Sequence, residues 1–283
     1  MNRGLKIDNR TLAISRLSSI SYYRLSAYWY PFRERDPNEE VTDTFVPDTN
    51  LNECFRLYEF DRKLRLLILD AIERVEVAIR THITYSLAHA YGAFGHTDPL
   101  NFHPNFKHQE WLDEVKKEVT RSREEFIVHY EKKYLDFPIL PLWILTEVMS
   151  LGNLSKLYKG MKNTDKQAVA QRFNIHYKRL ADWLHTLTYV RNICAHHSRL
   201  WNRELGIRPE QTKEKEWLPP ITPRSNRIFY VLLILKYLLQ IIHNAEDWLK
   251  EINNLLEPFT DHVTYRAAMG IPKNWKKHPL WKK

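Results

Sequence analysis

The chain has 283 residues, 43% of them hydrophobic, and 43 Lys and Arg against 34 Asp and Glu give it a formal net charge of +9. Its 7 glycines, about a third of ordinary usage, include no G-x-G-x-x-G and no G-x-x-x-x-G-K-[ST], which argues against enzymes that cradle phosphate in a Gly-rich loop and against multi-stranded barrels or sandwiches. Two cysteines, Cys54 and Cys194, build neither a disulfide framework nor a Cys-rich zinc site, and the basic balance favours polyanions, nucleic acid before an anionic membrane surface.

In chain order, Met1–Ser15 is polar, with no apolar signal core. The only weak strand candidates lie near Thr42–Val46. From Leu51 to about Ala90 runs a long helical pattern without Pro or Gly. Its apolar side includes Leu57, Leu64, Leu67, Ile68, Ala71, Ile72, Val75, Ile79 and Ile83; Arg62, Lys63, Asp70, Glu73 and Arg80 take the other side. Glu76 and Arg80, spaced i, i+4, read as a helix ion pair. A break follows at Tyr91–Pro104, with Gly92, Gly95, Pro99 and Pro104. Further helices are expected at Lys107–Tyr134, Leu142–Met161 and Thr164–Arg172, the last capped by Asn163 or Thr164. Another is expected from His176 to about Asn202, then a loop from Gly206 to Pro223. Ser225–Leu256 reads as a long core helix, because its greasiest part, Ile228–Ile242, carries Lys236 and is shorter than the ~20 residues a membrane span needs. Gly270-Ile271-Pro272 ends a short segment, and the tail beyond is expected to be extended. With no repeat and no composition shift, the expectation is one all-α domain over residues 1–283, with an N-terminal arm (1–50), a helical core (51–268) and a basic C-terminal tail (269–283). The low cysteine count and lack of a signal fit a reduced cytoplasmic setting.

The helix near residue 190 carries the densest chemistry. On a helical wheel Leu180, Trp183, Leu187, Val190, Cys194 and Trp201 form a core stripe. Opposite lie His185, Asn192, His196, Arg199 and Arg203, an amide, imidazoles and guanidiniums in a row that suits a phosphate backbone; a solvated basic face has the same pattern. Arg191 falls about 40° from the centre of the apolar stripe, a place for an Arg bonded to a carboxylate or held at a crevice edge. Cys194, His196 and His197 are adjacent enough to suggest metal ligands, but Cys194 faces the core and no fourth ligand is placed, so no metal is expected. The aromatic run Tyr22, Tyr23, Tyr28, Trp29, Tyr30 and Phe32, with Arg24 and Arg33, reads as a packing arm before a base-stacking surface. The tail interleaves Lys273, Lys276, Lys277, Lys282 and Lys283 with Trp275 and Trp281, either an RNA-binding strip or a docked segment.

Arg191-Asn192-Ile193-Cys194-Ala195-His196 resembles the R-N-x-x-x-H motif of HEPN-type ribonucleases. The wider string RNICAHHSRLWNRE, Arg191–Glu204, is more specific and resembles the signature of the Abi-like (AbiD/AbiF) abortive-infection family of bacteria, within the HEPN group. SYYRLSAYWYPFR, Ser21–Arg33, is similar to that family's YYRLS-x-Y motif, and IERVEVAIRTHITY, Ile72–Tyr85, to its central helix. MGIPKNW, Met269–Trp275, is similar to its Met-Gly-Phe-Pro segment, with Ile271 in place of Phe. Family members often carry an additional helix ahead of the R-G-L stretch, which here, as Arg3-Gly4-Leu5, lies at the start, so that N-terminal element is expected to be missing.

The resemblance implies an all-α HEPN-like bundle and a metal-independent endoribonuclease needing no cofactor, in which a 2′-OH attacks the adjacent phosphorus to leave a 2′,3′-cyclic phosphate and a 5′-OH. It gives His196 proton transfer, Arg191 the phosphate, and Asn192 the orientation of either. His197, Arg199, Arg203, Lys276 and Lys277 are further expected RNA contacts. On an ideal helix Arg191 and His196 stand about 140° apart and about 7.5 Å apart along the axis. A distorted helix, or two copies of the motif facing across a two-fold interface, would relieve this; the resemblance implies the second, a homodimer with one composite cleft. RNA is the expected partner, with an antitoxin or small non-coding RNA as a further partner class and no membrane. The competing reading is a non-catalytic RNA- or partner-binding HEPN module; a metal-dependent hydrolase is the weaker third.

Overall fold

A computed structural model describes residues 3–210 and 212–282. Met1 and Lys283, which the polar N-terminus and the lysine-rich tail include, lie outside the described residues. Two short helices, α1 (Arg10–Ser19) and α2 (Tyr22–Trp29), open the chain, capped by the side chains of Asn9 and Ser21. A hairpin follows, β1 (Arg33–Arg35) paired antiparallel with β2 (Val41–Phe45) in the register Arg33↔Phe45 and Arg35↔Val41. Ala13, Leu25, Trp29, Phe45, Leu51, Cys54 and Phe55 form one apolar cluster that seats this arm on the next helix.

That helix, α3 (Leu51–Tyr91), is 41 residues long, roughly 60 Å, and its expected apolar stripe is buried except for half-buried Leu67. Asn50 caps its start, and Gly92, at φ 78°, turns the chain out at its end. Around it pack α6 (Leu142–Val148), α7 (Leu151–Gly160), α8 (Asn163–Gln171), α9 (Tyr177–Ala195), α10 (Ile228–Ile241) and α11 (Glu246–Thr260). Two further helices, α4 (His108–Arg121) and α5 (Glu125–Lys133), precede α6; α12 (Val263–Met269) and α13 (Pro279–Lys282) close the chain. The protein is all-α, with 13 α-helices and one two-stranded sheet among the described residues. Apolar almost all round, α10 is buried at the centre. No helix among the described residues is long and apolar enough to cross a membrane.

Helix boundaries differ from expectation in a consistent way. The segment expected as one helix over Lys107–Tyr134 breaks at Ser122, which is extended (ψ 142°) and whose hydroxyl accepts from the Glu124 N–H. Leu142–Met161 breaks at Ser150, whose hydroxyl caps α7 while its own N–H donates to Glu118. The short helix expected over Thr164–Arg172 runs Asn163–Gln171 instead, following Lys162, which makes no side-chain cap. Ser225–Leu256 divides at His243, φ 54°, and the helix expected to reach Asn202 stops at Ala195. After α8, α9 and α10 the left-handed position is held by Asn174, His197 and His243. In each case the following N–H reaches back five residues, to Ala170, Ile193 and Leu239, closing the last turn. Glycine usually takes that position; this Gly-poor chain uses residues that tolerate it next best.

The tail also departs from expectation. It folds back as a 3-10 turn (Trp275–Lys277) and α13, with Trp275 and Trp281 buried edge-to-face at 5.3 Å between centroids. The Trp281 indole donates to Asn253 at 3.0 Å, and the Lys236 ammonium donates to the Leu280 carbonyl at 3.0 Å. Burial of these two indoles outweighs the chain entropy of leaving the segment free.

Candidate functional site

Leu180, Trp183, Leu184, Leu187, Val190 and Cys194 bury one side of α9, so the other side and the helix end face outward. Asn192 is exposed on the last turn; His196 (φ −85°, ψ 10°) ends the helix, and His197 turns left-handed at φ 55°. The His197 N–H donates to the Cys194 carbonyl and the Ser198 N–H to the Ile193 carbonyl, both at 3.0 Å. Both imidazoles are exposed, and the His196 ring makes no hydrogen bond among the described residues. The helical row Asn192, His196, Arg199, Arg203 therefore does not exist as a continuous face: the chain leaves the helix between its second and third members.

What holds the turn is a residue the sequence reading passed over. Asp61, 0% exposed, projects from α3 and accepts four bonds: from the N–H groups of Leu200 (3.1 Å) and Trp201 (2.8 Å), the Tyr28 hydroxyl (2.7 Å) and the Arg65 guanidinium (2.5 Å). Burial pushes the Asp61 carboxyl up, against the opposing pull of Arg65, Tyr28 and the two N–H groups. The signal was present, since positions 57, 61, 64, 65 and 68 share one helical stripe, and two of them are charged.

Three more guanidiniums clamp the same segment. Arg24 of α2 donates to the His197 carbonyl at 2.7 Å, Arg199 donates to the Ala27 carbonyl at 2.7 Å, and Arg203 donates to the Arg199 carbonyl at 2.9 Å. Arg199 and Arg203, expected RNA contacts, are thus half-buried and engaged with backbone. Tyr28 and Trp29 of the aromatic arm are buried in this packing, whereas Tyr22, Tyr23 and Tyr30 are exposed.

Arg191 is exposed, not buried, and reaches the Asn192 side chain at 3.4 Å. It lines a cleft of about 660 Å³ together with Glu76, Glu118, Arg121, Glu124 and Glu147. The expected Glu76–Arg80 ion pair is present at 2.7 Å, and Arg80 continues to the Met149 carbonyl at 3.1 Å. Burial raises the Glu76 carboxyl, opposed by the charges of Arg80 and Arg191. Arg191 itself has no carboxylate within 4.0 Å among the described residues.

The remaining candidates lie elsewhere. Lys276 pairs with Glu257 and lies 5.9 Å from the Trp275 ring centroid; Lys277 is exposed beside it. Cys194 is buried, and burial pushes its thiol up to about 12. Among the described residues no group of three or more His, Cys, Asp or Glu is placed to hold a metal ion.

The family model described as Abi-like protein matches residues 15–202, from within α1 through the turn after α9. No curated protein and no solved structure matches the chain.

Proposed function

The chain belongs to the Abi-like protein family, and from that premise we propose that it is a metal-independent endoribonuclease of bacterial phage defence, acting by abortive infection. The observation that supports this reading is the division of the Arg191–Glu204 string. Arg191, Asn192 and His196 are exposed and available, while the segment immediately after them is pinned by Asp61, Arg24, Arg65 and Arg199. A turn clamped that heavily presents its side chains at fixed positions, which positional catalysis requires.

In the proposed reaction the 2′-OH attacks phosphorus, its proton passing to a base, and the 5′-oxygen leaves with a proton. His196 serves one of these transfers. Arg191 holds the non-bridging oxygens as charge builds on them, and Asn192 orients the phosphate or the imidazole. His197 is a further proposed RNA contact, from the same turn. Two copies are proposed to pair about a two-fold axis and share one composite site. Exposed Val77, Tyr85 and Trp143 support such pairing: Tyr85 and Trp143 line a groove that shares Glu147 with the Arg191 cleft. Lys276 and Lys277 remain proposed contacts for a longer RNA. An antitoxin or small RNA is the proposed restraint.

The carboxylates around Arg191 favour a second reading, a non-catalytic module that receives a basic partner. RNA cleavage by the purified protein in EDTA separates the two. Cleavage that survives EDTA and falls by about 10²-fold or more in His196→Ala and in Arg191→Ala supports the nuclease. Absence of cleavage supports the module, and cleavage lost in EDTA rejects both. Sedimentation of the active species tests the pairing, which a fully active monomer would overturn.

A further inference from the structure

A second cavity, of about 470 Å³, lies at the opposite end of the α4–α7 pair from the Arg191 cleft. Glu118 and Arg121 of α4 line the cleft; Glu110, Trp111 and Glu114 of the same helix line the cavity. One wall is aromatic. The Trp111 indole donates to the Asn153 carbonyl at 3.2 Å, which fixes its plane, and the Phe106 ring centroid lies 5.8 Å from that of Trp111. Phe106 lies against Gly160, where an added Cβ would fall 2.6 Å from the ring carbons. Glycine at this one position is what lets the ring lie on α7.

The other walls carry lysines. Lys107 pairs with Glu110 at 3.0 Å and Lys156 with Glu114 at 2.5 Å, so those four charges cancel. Lys159 and Lys166 have no carboxylate within 4.0 Å among the described residues. Lys159 is exposed at the mouth. Lys166 is only 8% exposed; its ammonium donates to the Lys159 carbonyl at 3.3 Å and sits 5.5 Å from the Tyr177 ring centroid. Burial, with the charges of Lys159 and Lys178, pulls its pKa below the usual lysine value. A buried ammonium without a counter-ion is expensive, and an entering anion would relieve it.

We propose that this cavity binds a small ligand made of a flat aromatic ring and a phosphoryl group, the chemistry of a nucleoside monophosphate. The ring lies against Phe106, which the buried Trp111 backs, and the phosphoryl oxygens accept from Lys159 and Lys166. The volume falls in the range of small-molecule sites, which are mostly apolar with a few placed polar groups. A phosphate monoester carries about −1.5 to −2 at neutral pH, matching two uncompensated ammonium groups. Aromatic walls of this kind accept any base, so the ring is specified as flat and aromatic, not as one base. This site is separate from the proposed nuclease centre and stands or falls without it.

Titration calorimetry on the full chain tests it, with the four 5′-nucleoside monophosphates, the nucleosides and inorganic phosphate as separate probes. At least one monophosphate binds, and its nucleoside and inorganic phosphate each bind at least about tenfold more weakly. Lys159→Ala and Lys166→Met each weaken the monophosphate by about tenfold or more. If Lys166→Met does not fold, exposed Lys159 carries the comparison. A 5′-phosphorylated dinucleotide that binds more tightly than the monophosphate assigns the site to an RNA end; weaker binding assigns it to a free nucleotide. The proposal is overturned if no monophosphate binds at millimolar concentration. It is equally overturned if nucleoside or phosphate alone binds as well, or if the lysine substitutions have no effect.

Discussion

The turn after α9 and the aromatic end of α4 and α7 are held by opposite means. At the turn, buried charge does the holding: Asp61 and Arg65 are almost fully enclosed, and guanidiniums bond four backbone carbonyls. At the other end the holding groups are aromatic rings. Phe102, Phe106, His108 and Trp111 pack ring on ring, and the His108 ring donates to the carbonyl of His96 at 2.8 Å. Burial, with His108 nearby, pushes the His96 imidazole down to about 4, so it is neutral in the fold. Ionic hydrogen bonds aim at single backbone atoms and fix an exposed turn from beneath. Ring packing has no such aim, but it encloses a wall against which a ligand can lie.

That contrast breaks first at Asp61. Asp61→Ala leaves Arg65 buried without its counter-ion and frees two buried N–H groups, a loss of about 3–5 kcal/mol in urea unfolding. Adding Arg65→Met recovers part of the loss, because the stranded charge is removed; a double variant no more stable than the single one contradicts the account.

The aromatic end breaks with acid. The folded His96 pKa lies near 4 and the unfolded one near 6.5, so the unfolded chain binds the extra proton in between. The contribution is complete above pH about 6.5 and is lost as pH falls towards 4, at most about 3 kcal/mol. His96→Gln flattens the acid limb of Tm against pH, and an unchanged limb would show that His96 does not carry it.

Smaller effects sharpen the contrast. Tyr28→Phe removes one of the four bonds to Asp61 and lowers stability by about 1 kcal/mol. His197→Gly relieves the left-handed strain after α9 and raises stability by several tenths of a kcal/mol. If RNA contacts the His197 ring, cleavage falls in the same variant while Tm rises. Cleavage unaffected by the substitution removes His197 from the site.

Element type was legible where periodicity was strong, as in α3, whose 41 residues follow the expected span to within one residue. Helix ends were not, because they were sought at Gly and Pro while Asn174, His197 and His243 took the left-handed positions. The glycine shortage that excluded phosphate loops thus also concealed the punctuation. Ser122 and Ser150, which open the chain within two expected helices, were readable as caps only once Ser150 was seen bonded to Glu118 on another helix. Of the candidate site, the residue types of Arg191, Asn192 and His196 were readable, but the surroundings of Arg191 were not. Four of the carboxylates around it come from α3, α4, α6 and the segment between α4 and α5.

The sequence by itself determined the all-α class, the long central helix and the family, because periodicity and a linear motif are local properties of the chain. Only the tertiary structure decided which charges are available. Arg199 and Arg203 share a motif with Arg191, yet they bond backbone while Arg191 faces solvent. Lys166 and Asp61 are buried for opposite ends, one without a counter-ion and one with four donors. Whether a charge is paired depends on groups brought together from distant parts of the chain, and the spacing along it carries no record of that.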